Sequence, residues 1–327
     1  MLETIAKASE KERQAIFLEA SKANKMPASM IEKDFWVCWA LKRLFSDTEL
    51  QKILCFKGGT SLSKVFKIVE RFSEDIDLIL DWNTIAKGKP ILQPSKNKQN
   101  KRNEEINEDA QVYISTTLKD KVKNLVGDIC TVSLDEFDGN TLQINYPKGI
   151  TDSYLLPHIK LEIGPLAAWT PNKTYPIKPY IDGINENLTI DDIEVPTIIL
   201  ERTFWEKVTI LHKEHFRTPD KPNPERYSRH YYDLYKIGYS DLLESALERT
   251  DLLTQVVDFK QTFYPCAWAR YDLAKQESIK LMPTEENIKY LKDDYAKMKG
   301  MIFGDYPSWE DILSFLEKLE NKINFKC

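Results

Sequence analysis

Two short stretches carry residue types that do chemistry when they come close together. Asp75-Ile76-Asp77 places two carboxylates at i and i+2, and in a strand such residues point to one face. Their charges repel, so the pair is unfavourable unless a cation lies between them. Hard oxygen ligands suit Mg²⁺, with Mn²⁺ as the alternative. Alone, the same pattern also describes a solvated strand end. The second stretch is Gly58-Gly59-Thr60-Ser61, which follows an apolar run and precedes residues at helical spacing. Glycines let backbone N–H groups approach an anion, and a helix N-terminus adds its positive dipole end. Gly58, Gly59, Thr60 and Ser61 can hold a triphosphate while metal on Asp75 and Asp77 bridges its oxygens, the arrangement for in-line attack on phosphorus.

Further residues join these. In His158-Ile159-Lys160-Leu161-Glu162-Ile163, Glu162 lies on the face opposite the isoleucines and Leu161. It becomes a third metal ligand if this strand neighbours Ile76–Leu80, and is otherwise an ordinary exposed strand residue. Lys207 lies about 60° from the centre of a helical face made by Leu200, Phe204, Val208 and Leu211. Such a lysine either snorkels to water or serves a cleft. Asp233 either pairs with a nearby arginine or orients Lys207 and a nucleotide. Arg71 can brace the loop before the Asp pair by pairing with Glu74 or another acid. His212-x-x-His215 has the spacing of a metal pair but lacks Cys or carboxylate ligands to complete it. With Lys213, Arg217, Lys221, Arg226 and Arg229 it forms a basic strip, either a solvated loop or a track for an RNA backbone. The same two readings apply to Lys87, Lys89, Lys96, Lys98, Lys101 and Arg102, a stretch without an acid.

Elements to position these groups are legible in outline. Ser29-x-x-Glu32 has the form of a capping box, opening a helix through about Phe45 with Ile31, Phe35, Cys38 and Phe45 in its stripe. Lys52–Lys57 reads as a strand, Thr60–Val69 as a helix and Ile76–Trp82 as a strand. Residues 87–102 read as a mobile loop, followed by a polar helix over 103–125. Asp128–Phe137, Thr141–Tyr146 and His158–Gly164 read as strands, the first two joined by a hairpin at Asp138-Gly139-Asn140. From Thr197 the spacing predicts helices over 197–215, 228–237, 241–257, 260–276, 285–298 and 308–322. The expected class is α/β (α+β), with an N-terminal domain over 1–195 and a helical domain over 196–327.

Composition narrows the classes further. The chain has 327 residues, 42% hydrophobic and 30% charged, with a net charge of −5. An acidic chain is no general nucleic-acid coat, so nucleic acid would be met by a local basic patch. No apolar run reaches 18 residues, and the charged N-terminus lacks a signal-peptide core, so no membrane association is expected. Five scattered cysteines without C-x-x-C spacing read as reduced thiols of a cytoplasmic protein and argue against structural zinc.

At this point a family likeness becomes specific. Phe56-Lys57-Gly58-Gly59-Thr60-Ser61-Leu62-Ser63 followed by Arg71-Phe72-Ser73-Glu74-Asp75-Ile76-Asp77-Leu78 resembles the signature of the AbiEii family. These are nucleotidyltransferase-type toxins of abortive-infection and toxin–antitoxin systems, within the DNA polymerase β-like superfamily. Ile31–Trp36, Arg202–Lys207, Arg229–Leu234 and the stretch from Asp293 to Phe303 resemble the family's other motifs, so the likeness spans about residues 28–325. It implies a nucleotidyltransferase domain with a small mixed sheet flanked by helices, and a C-terminal helical bundle contributing to the active-site cleft. Asp75 and Asp77 would be metal ligands, and Gly58, Gly59 and Thr60 the phosphate turn. Gly59 stands where the superfamily commonly has serine, leaving Thr60 or Ser61 to supply the hydroxyl. Glu162 stands where aspartate is usual. Lys207 would pair with triphosphate oxygens, with Asp233 beside it. The implied substrates are an NTP and an acceptor such as a tRNA 3′ end, and the implied partner is a cognate antitoxin acting without a stable complex. Two alternatives stand beside this: a non-catalytic nucleotide-binding or interaction protein on the same fold, and a metal-dependent nuclease. The intact Asp pair argues against the first and the glycine turn against the second.

Overall fold

The computed structural model describes residues 1–86, 88–150, 155–218, 220–221 and 223–325. The chain forms two compact units. One comprises Met1–Val65 and Phe72–Ile198, the other Phe66–Arg71 and Ile199–Cys327.

The first unit opens with α1 (Leu2–Lys7), α2 (Glu10–Asn24), α3 (Ala28–Phe45) and α4 (Leu50–Ile53). A capping box does open a helix, but it is Ser9–Glu12 on α2. The expected Ser29–Glu32 box is not formed. Pro27 is the N-cap of α3, so Ser29 already lies in the first turn, and Glu32 instead accepts from the backbone N–H groups of Gly149 (2.7 Å) and Ile150 (3.0 Å). Helix α3 is central: 15 of its 18 residues are buried, so Glu32, Lys33 and Asp34 need partners inside the protein.

The sheet has seven strands. β1 (Leu54–Lys57) runs into α5 (Gly58–Lys64), and β2 (Ile76–Leu80) returns antiparallel to β1. Next come α6 (Lys96–Tyr113), α7 (Lys119–Val126), β3 (Thr131–Leu134), β4 (Thr141–Asn145), β5 (Ile159–Gly164), β6 (Asn172–Ile177) and β7 (Ile193–Ile198). Their order is β3-β4-β5-β2-β1-β7-β6, with β2–β5 and β1–β7 parallel and the other neighbours antiparallel. The sheet is mixed and flanked by helices, the expected class. The Asp138–Asn140 hairpin joins β3 and β4.

One expectation needs correction here. Residues 96–102 are helical: Ser95 accepts from the Lys98 backbone N–H, so α6 starts seven residues earlier than its charge pattern suggested. The expected position Lys87 lies outside the described residues. Strands β6 and β7, which were not expected, hold Pro176 and Pro196 inside them. β6 is an edge strand, where a missing N–H is tolerated, and β7 meets β1 at the single register pair Phe56↔Thr197.

The second unit is helical, with α8 (Leu200–His215), α9 (Ser228–Gly238), α10 (Leu243–Glu248), α11 (Thr250–Phe263), α12 (Glu285–Lys297) and α13 (Trp309–Asn324). The expected helix over 241–257 is broken at Arg249. That over 260–276 does not form: α11 stops at Phe263, two residues before Pro265, and two 3₁₀ turns follow. Proline removes an amide donor and disfavours the helical conformation of the residue before it.

Candidate active site

The glycine turn and the aspartates are built against each other. Lys57 and Asp77 are register partners across β1 and β2. At the next residue the chain must turn, and Gly58 does so with φ +83°. A Cβ on Gly58 would lie 1.9 Å from Asp77 Oδ2, so the Asp77 carboxylate occupies the space that any other residue needs. Gly59 sits in the first turn of α5. Thr60 Oγ1 donates to the Asp75 carbonyl at 2.5 Å, and Ser61 Oγ donates to the Gly58 carbonyl at 2.8 Å. Both side chains are buried. Their hydroxyls hold the turn and the Asp75 backbone in place.

Register gathers the acids. Asp77 pairs with Glu162 across the parallel β2–β5 ladder, so both point to one face. Asp75 lies just before β2, close enough for the charges of Glu162 and Asp77 to act on it. Burial pushes the Asp75 carboxyl up to about 7, helped by the charges of Glu162, Glu74 and Asp77, while Lys33 pulls it down. Asp75 Oδ1 is buried without a hydrogen-bond partner. An orphaned, buried oxygen among like charges costs free energy that a bound cation would relieve. The donor set is all oxygen and fits a hard divalent ion. Among the described residues, no three His, Cys, Asp or Glu side chains are already arranged as a metal site, and Glu162 is exposed. Glu162 is thus a neighbour of the pair by register and charge, without being gathered into a finished set of ligands.

Sequence reading missed Lys33 as part of this site. It is fully buried and donates to Glu74 Oε2 (3.2 Å) and to the carbonyls of Leu156 (2.9 Å) and His158 (2.5 Å). Burial lowers its pKa, with Glu74 opposing. The available signal was a lysine beside Ile31 and Phe35 on a helix too apolar to leave it in water. Asp34, next along, takes Lys64 of α5 at 2.6 Å and the Tyr180 N–H at 2.7 Å. That ion pair ties α5 to α3 behind the turn.

A second constellation lies within the helical unit. Asp233 is fully buried and accepts from Arg71 Nε (2.6 Å), Arg71 Nη2 (2.8 Å) and Lys207 Nζ (2.8 Å). Burial alone would raise its pKa, but Arg71 and Lys207 outweigh that and hold the carboxyl below its usual range. Lys207 neither snorkels nor stands alone. Burial lowers its pKa against the pull of Asp233, and its ammonium also lies 2.9 Å from His230 Nδ1. Burial and the Lys207 charge push the His230 pKa well down. An ammonium can only donate, so Nδ1 accepts and the neutral ring carries its proton on Nε2. The acid that Arg71 pairs with is Asp233.

The other expected ligands separate. His212 is buried and bonds the Arg270 carbonyl (3.0 Å) and the Lys280 N–H (3.1 Å), and His215 bonds the Met282 carbonyl (2.7 Å). Both tie backbone together, which removes the His212–His215 metal pair. In the basic strip, Arg217 is neutralised by Glu214 at 2.5 and 3.0 Å.

A glycine turn packed on paired strand carboxylates in a mixed sheet is an arrangement able to take a phosphate and a hard cation side by side. The sequence model of the AbiEii family, described as the nucleotidyl transferase AbiEii toxin of type IV toxin–antitoxin systems, matches residues 39–320. The chain belongs to that family, as the motif likeness implied, and is a nucleotidyltransferase. Among solved structures, the nucleotidyltransferase toxin MenT4 from Mycobacterium tuberculosis H37Rv is 15% identical with a TM-score of 0.45, covering 95% of this chain and 99% of its own. JHP933 from Helicobacter pylori is 16% identical with a TM-score of 0.42, covering 88% of each chain. No curated protein matches the sequence. No helix among the described residues is long and apolar enough to cross a membrane.

Proposed function

We propose that this toxin moves a nucleotide from an NTP to a hydroxyl of an acceptor RNA, such as a tRNA 3′ end, with Mg²⁺ (or Mn²⁺) held by Asp75 and Asp77. The observation that carries the reading is the buried, partnerless Asp75 Oδ1 among the charges of Asp77, Glu74 and Glu162. A bound divalent ion at these oxygens would lower the pKa of the acceptor hydroxyl and neutralise charge on the leaving pyrophosphate. Glu162 is the acid that could extend the ligand set. The chain's own residues do the positioning. Gly58 lets the turn close onto Asp77, Thr60 holds the Asp75 backbone, and Lys33 fixes Glu74 next to Asp75. The turn at Gly58 and Gly59 receives the triphosphate. Family membership implies an antitoxin, which in this reading acts without a stable complex.

Incubating each labelled NTP with total cellular RNA, Mg²⁺ and either wild-type or Asp75→Ala protein tests the reading. Wild type should extend RNA, chelator should stop it, and Asp75→Ala should lose at least about a hundredfold in rate, as when a centre that stabilises transition-state charge is removed. Equal labelling by the two proteins sinks the role of Asp75. Shortening of RNA without NTP makes the protein a nuclease.

A further inference from the structure

Past the C-terminal end of β2 the chain turns and enters α6. A cavity of about 300 Å³ opens there, bordered by Lys89 and Gln93 of the turn and by Lys98, Lys101, Arg102 and Glu105 of the helix. The four helical positions are spaced i, i+3, i+4 and i+7 and share one face. Arg102 is the floor. It is 4% exposed, donates to the carbonyls of Pro90 (3.2 Å) and Ala86 (3.4 Å), and pairs with Glu105 at 3.3 Å. Those bonds fasten the turn to the helix and occupy the cavity's one acid. Lys89, Lys98 and Lys101 are exposed, and no carboxylate among the described residues pairs with any of them. Three ammonium groups around one cavity repel each other, and an anion relieves that repulsion.

Position selects among anions. Asp75 and Asp77 lie at the N-terminal end of β2, while the cavity follows its C-terminal end. From Asp77 to Leu80 the strand alone rises about 10 Å. A triphosphate held at the aspartates does not also fill the cavity, whereas a polynucleotide carries phosphates at every residue along its length. None of the lining residues is aromatic, so the cavity offers charge to phosphates and no platform for base stacking.

We infer that this cavity is a contact site for the phosphate backbone of RNA, apart from the Asp75–Asp77 site and tolerant of sequence. The identity of the ligand as RNA rests on the acceptor proposed above. The test uses full-length protein carrying Asp75→Ala, so that no transfer occurs, with and without Lys98→Gln/Lys101→Gln. Affinity for a labelled single-stranded RNA of mixed sequence is measured against salt concentration, with melting temperature confirming that both proteins are folded. Each lost phosphate contact lowers the slope of log K against log salt by about 0.7, so the double variant should lose about 1.4. Between about 50 and 200 mM salt, the parent should then lose about sevenfold more affinity than the variant. Parallel slopes overturn the inference. So does a change in binding of inorganic triphosphate without a change in RNA binding, which would make the cavity a site for free polyphosphate. Transfer by the Asp75-intact enzyme is scored separately, so absence of transfer with a reduced slope leaves the cavity standing and removes only the catalytic reading.

Discussion

Replacing Gly58 with alanine perturbs the site through one atom. Gly58 sits at φ +83°, where a residue with a Cβ costs about 1–2 kcal/mol. The added methyl would lie 1.9 Å from Asp77 Oδ2, 2.6 Å from Cγ and 2.9 Å from Cβ. Restoring even 3.0 Å to Oδ2 needs 3.0 minus 1.9, or 1.1 Å, of movement. Because Asp77 Cβ is also too close, turning the carboxylate alone does not clear the clash. A displacement of about 1 Å at a reacting centre costs on the order of a hundredfold in rate, so Gly58→Ala should transfer NTP about a hundredfold more slowly. Its stability should fall by more than backbone strain accounts for. Gly183 separates the two effects: it has φ +70° and nothing within 4 Å of an added Cβ. Gly183→Ala should lose about 1–2 kcal/mol in urea unfolding and keep its transfer rate. Wild-type transfer by Gly58→Ala, with stability matching Gly183→Ala, would refute the coupling of turn and carboxylate.

In metal-free protein, Asp75→Asn should be stabilising at alkaline pH. A carboxyl moved from 3.8 to about 7 costs the fold up to about 4 kcal/mol once ionised. The cost is absent below pH 4, grows as pH rises and is complete above 7. Urea unfolding in chelator at pH 8 should favour the variant, and added Mg²⁺ should stabilise only wild type; a less stable variant under chelator contradicts the crowding of charges. Asp233→Asn leaves Arg71 and Lys207 buried without their carboxylate and should cost about 3–5 kcal/mol at pH 7. Since the folded Asp233 carboxyl titrates below its usual range, its contribution is present above about pH 4 and fades as pH falls from there. The stability gap between wild type and variant should narrow on acidification, and a gap that is constant from pH 7 downward contradicts the assignment.

The turn and the Asp pair were legible because each is a local pattern, a Gly-Gly after an apolar run and carboxylates at i and i+2. Glu162 was legible only conditionally, since its place beside Asp77 depends on a parallel β2–β5 pairing that no local pattern encodes. Asp233 and Lys207 were singled out without their geometry; that one carboxylate takes both Arg71 and Lys207 is set by a contact spanning 162 residues. Lys33 was hidden by the apolar helix around it. Ser29 and Glu32 matched a capping box in spacing, yet a proline cap and a tertiary demand on Glu32 prevailed. Strands β6 and β7 went unrecognised; each holds a proline, whose cost depends on where a strand lies in the sheet.

The path of the chain through its two units bears on how the protein is made. Residues 66–71 belong to the second unit, although residues on both sides belong to the first. Arg71 therefore leaves the ribosome 162 residues ahead of Asp233, which at about 5–20 residues per second is a wait of roughly 8–32 s. Throughout that interval Arg71 lacks the Asp233 carboxylate that holds it in the folded unit. A nascent chain that stops before α9 would thus carry Asp75 and Asp77 but lack the Asp233 anchor for Arg71.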